Sequence, residues 1–133
     1  MKTKADLVKG WLRKAESDLK NANMCISAGE SLDTACFHAQ QVAEKYLKAY
    51  LTAKDVDFPY IHNLEKLIEL CGNHDPAFLT LKSLAQTLTP YAVELRYDDE
   101  FWPMAEIAKE ALEAALKIKE MVINKLPKDM QIY

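Results

Sequence analysis

The stretch FHAQQVAEKYLKAYL, residues 37–51, carries two stripes at once. Ala39, Val42, Tyr46 and Ala49, preceded by Ala35, recur at alternating spacings of four and three, the period of one helix face. On the opposite side Phe37, Gln41, Glu44, Lys48 and Leu51 repeat the same spacing, filled mostly by polar groups. The segment is therefore a helix, running from about Asp33 to Ala53, and its second stripe poses the functional question. Apolar residues at both ends fit a face that meets something, either a second copy of the chain at Phe37 and Leu51 or a ligand cleft lined by Gln41, Glu44 and Lys48. The alternative is a Glu44–Lys48 surface pair with Phe37 and Leu51 merely exposed.

Helical periodicity extends in both directions. Residues 4 to 28 place Val8, Leu12, Ala15, Leu19, Ala22 and Ile26 on one face, with Thr3 and Asp6 as a capping box and Gly29 as the stop. Ser31 or Asp33 caps the second helix. KDVDFPYIH reads as a loop, with His62 as a cap, and NLEKLIELC as a short helix closed by Gly72. After the NHDP turn, Ala77, Leu81, Leu84 and Leu88 form a further stripe that Pro90 interrupts, and YAVELR reads as a short helical piece. The last helix begins near Pro103, holds Met104, Ala108, Ala111, Ala115, Ile118 and Val122 in register, and ends at Pro127.

The chain has 133 residues, half of them hydrophobic, and only three glycines. That is enough for one domain with its own core, residues 1–133, of all-α class: an up-and-down four-helix bundle with an additional short helix. The net charge of −3 supplies no overall field toward nucleic acid or acidic membranes. No apolar run approaches the roughly 20 residues of a membrane span, and the N-terminal residues lack the pattern of a signal peptide, so a cytoplasmic location and no membrane partner are expected. Cys25, Cys36 and Cys71 fit reduced thiols.

Arg96 is the second candidate. It is one of two arginines, and it precedes Asp98, Asp99 and Glu100. Its planar five-donor head suits phosphate or carboxylate, while the acids suit caps of the last helix; the competing arrangement is Arg96 simply paired with one of them. Cys71 and His74 have CxxH spacing without two further ligands, and no Glu-x-x-His or Gly-rich phosphate loop occurs, so neither a metal nor a cofactor is expected.

The chain resembles the HEPN family, small helical domains named for their occurrence in higher eukaryotes and prokaryotes. WLRKAESDLKNA (11–22), ACFHAQQVAEKYLKAYL (35–51), HNLEKLI (62–68) and LRY (95–97) carry the resemblance. It implies a bundle, commonly a homodimer, with a cleft where the second and last helices meet. Small members are often partnered with a minimal nucleotidyltransferase in toxin–antitoxin-type or substrate-binding pairs. Others are metal-independent ribonucleases, whose signature is an arginine followed, after four to six intervening residues, by a histidine. Here Phe101, Trp102 and Pro103 occupy those positions, and none exchanges a proton near neutral pH. The expected function is therefore a nucleotide-binding or accessory module, with Arg96 and Tyr97 at phosphate and Gln41, Glu44 and Lys48 as polar contacts. The alternatives are a ribonuclease toxin using a displaced base such as His38, or a purely structural dimeric module.

Overall fold

The computed structural model describes residues 1–132. Five α-helices form among the described residues, with no strand: α1 (Lys4–Ala28), α2 (Leu32–Ala53), α3 (Leu64–Gly72), α4 (Lys82–Leu88) and α5 (Ala105–Lys125). They make an up-and-down bundle in which α2 lies against both α1 and α5, while α3 and α4 cover its remaining side.

Local chemistry sets the ends of α1. Thr3 Oγ1 accepts from the Asp6 amide at 3.1 Å and Asp6 Oδ2 accepts from the Thr3 amide at 2.9 Å, a complete capping box. Gly29 closes the helix at φ 68°, a left-handed conformation that glycine adopts without a Cβ penalty. At α2 the expected side-chain cap is absent. Ser31 has φ 53°, so it does not present its hydroxyl to the first-turn amides from the extended backbone that capping requires. Asn63, not His62, caps α3, accepting from the Lys66 amide at 3.0 Å.

Gly72 is the last residue of α3, and a Cβ there would lie 2.6 Å from Leu79 Cδ2, so the Leu79 side chain of the following 3₁₀ turn, Pro76–Leu81, rests directly over it. Asp75 opens that turn by accepting from the Ala77 amide at 3.0 Å, and Lys125 Nζ ties it to α5 through Asp75 Oδ2 at 2.5 Å. Phe78, Leu81, Ala85 and Leu88 bury here; Ala77 and Leu84 stay half-buried because the 3₁₀ turn rotates the expected stripe.

Two expectations about the region before α5 are corrected. Within YAVELR only Tyr91 is helical, as the end of a short 3₁₀ segment, Thr89–Tyr91, and residues 92–96 form turns. Asp98, Asp99 and Glu100 do not cap α5, whose N-cap is Met104 without a side-chain bond. Asp98 Oδ1 instead accepts from the Glu100 amide at 2.9 Å, and the Asp99 carbonyl accepts from Trp102 Nε1 at 3.0 Å. Met104 is itself extended just ahead of the helix, at φ −76° and ψ 164°, and its side chain, expected in the core, is 72% exposed.

Candidate functional site

Most of the polar stripe of α2 is covered by the chain itself, and only Phe37 at its N-terminal end stays half-buried. Gln41, Glu44 and Lys48 are buried within the chain itself, and Leu51 is fully enclosed in its core. The cover is Trp11 from α1 and the loop 54–63. Lys48 Nζ lies 5.5 Å from the Trp11 ring centroid and 5.6 Å from that of Phe58, and the two rings meet edge to face at 6.0 Å. Lys48 Nζ donates to Glu44 Oε2 at 3.1 Å, His62 Nδ1 bonds Glu44 Oε1 at 2.8 Å, and Gln40 Nε2 donates to the same Oε1 at 3.3 Å. Gln40 also holds the loop through the His62 carbonyl at 2.9 Å and accepts from Gln41 at 2.6 Å. No buried side-chain nitrogen or oxygen among the described residues lacks a partner, and the network's bonds from Glu44 and Gln40 to His62 fasten loop 54–63 across α2. The pair expected at the surface thus forms, but inside. Leu51 offers nothing to a second copy, which corrects its placement at a dimer contact.

Arg96 stands apart from that network. Its guanidinium carbon lies 3.6 Å from the Phe37 ring centroid and 6.0 Å from that of Tyr97, and it makes no ion pair among the described residues. The neighbouring acids do not engage it. Phe37 is half-buried and acts as a platform that fixes a charged head still exposed to solvent. Phe37 and Lys48 lie eleven residues apart on α2, roughly 16 Å along the axis at 1.5 Å per residue. The expected ligand contacts therefore divide into an open group, Arg96 and Tyr97, and an enclosed one, Gln41, Glu44 and Lys48.

His38 is the residue whose setting periodicity alone did not reveal. Its Nδ1 bonds Asp18 Oδ1 at 2.8 Å, and Asp18, only 7% exposed, also pairs with Lys45. Nε2 has no partner, yet no buried side-chain nitrogen among the described residues lacks one, so Nε2 reaches solvent. The His38 ring meets Phe37 edge to face at 5.4 Å, which places the imidazole and the Arg96 guanidinium on the same aromatic side chain. The available signal was the Asp of AESDL: Asp18, three residues after Ala15 and four before Ala22, takes the buried position that the stripe assigned to Leu19, which is only half-buried.

Other reactive candidates are inert. Burial pushes the Cys36 and Cys71 thiols up to about 12. Cys71 is enclosed while His74 is exposed, so their CxxH spacing makes no metal pair. No cluster of three potential metal ligands occurs among the described residues. Burial also raises the Tyr91 phenol, which stacks on Phe101 at 5.7 Å. No helix among them is long and apolar enough to cross a membrane.

The fold and these placements define a helical-bundle domain, and the comparisons agree. The family model for the HEPN domain matches residues 8–126, so the chain belongs to the HEPN family. It is similar to the crystal structure of TT1696 from Thermus thermophilus, with 28% identity over 90% of this chain and 98% of that one, at a TM-score of 0.79. It is also similar to ST0689, an archaeal HEPN homologue, with 26% identity over 94% of this chain and 98% of that one, at a TM-score of 0.72. A search of curated proteins found no match.

Proposed function

We propose that this HEPN chain is a nucleotide-binding or accessory module, acting in the cytoplasm as a homodimer and partnering a minimal nucleotidyltransferase in a toxin–antitoxin-type pair, without an Arg–His nuclease site. The observation that carries the reading is Arg96: a guanidinium stacked on Phe37, exposed, and free of the acids two to four residues away. Such a group has its five donors available for a phosphate. Tyr97, 80% exposed, stands beside it. Val93, Met104 and Ile107, all exposed and apolar, lie in the same part of the chain and support the homodimer better than Leu51 does. The enclosed Gln41, Glu44 and Lys48 serve the site by holding α2 and loop 54–63 in place.

Titration with nucleotides tests this. Arg96→Ala is expected to abolish binding while leaving the melting temperature unchanged, and wild-type affinity in that variant removes the reading. Sedimentation of Met104→Glu at micromolar concentration tests the homodimer, since an unchanged dimer mass excludes that surface.

A second reading, a metal-independent ribonuclease, draws on the Asp18–His38 pair. Asp18 holds Nδ1 and leaves Nε2 in solvent, the arrangement a general base needs. Incubation with labelled RNA in chelator decides it: cleavage lost in His38→Ala supports this reading, and no cleavage by the wild-type protein ends it.

A further inference from the structure

Two pockets adjoin at the start of α2. One, of about 250 Å³, is lined by Asp33, Thr34, Arg96 and Tyr97. The other, of about 420 Å³, shares Asp33 and Thr34 and continues to Trp102 and Pro103. Together they form a surface trough with a cation at one end and an indole at the other. Trp102 is 74% exposed, although its Nε1 is tied to the Asp99 carbonyl at 3.0 Å. That bond fixes the edge of the indole and leaves its π face available.

We propose that this trough takes a nucleoside 5′-monophosphate, with the phosphate on Arg96, the ribose hydroxyls on Asp33 and Thr34, and the base stacked on Trp102. The inference rests on the reading of Arg96 as the phosphate contact and extends it to the class of ligand. Asp33 makes no ion pair among the described residues and sits where the two pockets meet, so its carboxylate is free to accept from a vicinal diol. Base stacking on an aromatic ring supplies affinity without choosing a particular base.

Charge limits the ligand to one phosphate. Among the described lining residues Arg96 is the sole cation, while Asp33 lies in the trough and Asp98, Asp99 and Glu100 flank it in sequence. A second phosphate, or the next phosphates of an RNA strand, would meet carboxylates with no compensating cation. The trough thus favours a mononucleotide over a polynucleotide.

Calorimetric titration of the full chain with AMP, inorganic phosphate, ATP and a ten-residue oligouridylate tests this. Trp102→Ala is expected to weaken AMP about tenfold and leave inorganic phosphate unchanged, while Trp102→Phe keeps AMP near wild type. ATP is expected to bind no tighter than AMP, and AMP binding to depend weakly on salt. Wild-type AMP affinity in Trp102→Ala, with loss in Arg96→Ala, overturns the placement of the base and leaves the Arg96 reading standing. Wild-type affinity in both variants overturns both. Oligouridylate binding tighter than AMP, with a steep salt dependence, overturns the restriction to one phosphate.

Discussion

Replacing Lys48 by methionine removes an ammonium from a nearly closed site while keeping most of its aliphatic volume against Trp11 and Phe58. Breaking a buried ion pair from one side typically costs about 3–5 kcal/mol, because the remaining charge is uncompensated. Here Glu44 keeps two partners, Gln40 at 3.3 Å and His62 at 2.8 Å, and the His62 side chain is 55% exposed and so still reaches water. That retained solvation places the expected loss lower, at about 2 kcal/mol. For a chain of this size the loss is a fall of roughly 6–8 °C in Tm. The double variant Glu44→Leu/Lys48→Met replaces both charges by apolar groups and is expected to lie within about 1 kcal/mol of wild type, so the cycle gives a large favourable coupling. Calorimetric melting of the four proteins measures it. If the double variant loses as much as the sum of the two single ones, the charges are not paired in the way described and loop 54–63 is not fastened by them.

Further outcomes follow from other positions. Leu51→Ala is expected to cost about 2–5 kcal/mol in chemical denaturation, since its side chain is fully enclosed in the core. Gly29→Ala, forced to φ 68°, is expected to cost about 1 kcal/mol, whereas Gly72→Ala is expected to be nearly neutral because the half-exposed Leu79 can swing away and helix propensity improves. Cys36 and Cys71 bind protons more tightly in the folded chain than at the ordinary thiol value of 9. Their contribution to stability should therefore be constant below pH 9 and fall as pH rises toward about 12, by about 1.4 kcal/mol per pH unit for each thiol. Alkylation of the native chain at pH 8 should accordingly reach Cys25, which is half-buried, and spare the other two. At the acid end, Asp75 is held below the ordinary carboxylate range by its hydrogen bond from Lys125 and then by the Ala77 amide. Its contribution is present above the ordinary carboxylate value and disappears as pH falls through the lowered one, so Lys125→Met should narrow the difference in Tm between pH 7 and pH 3.

The helices were legible because their signals are local. The stripes of α1, α2 and α5, the Thr3–Asp6 box and Gly29 lie within a few residues of what they control. Family membership was legible in the same segments. The fate of the polar stripe was not, because it depends on a loop later in the chain: periodicity shows that Glu44 and Lys48 share a face but not that Phe58 and His62 return to cover it. The acids before α5 misled for a related reason. Their composition suits a cap, yet an Asx turn at Asp98 and an extended Met104 leave them short of the helix start at Ala105. The stacking of Arg96 on Phe37 joins residues from distant parts of the chain, and no spacing rule announces it.

Whether Arg96 is a recognition group rather than half of a nuclease pair is decided by calorimetric titration with AMP of the wild type, Arg96→Ala and Arg96→Lys, each at matched stability. The expected result is binding by the wild type, loss in Arg96→Ala, and partial retention in Arg96→Lys, which keeps the charge but not the planar stack on Phe37. Identical heats for all three proteins would show that Arg96 recognises nothing.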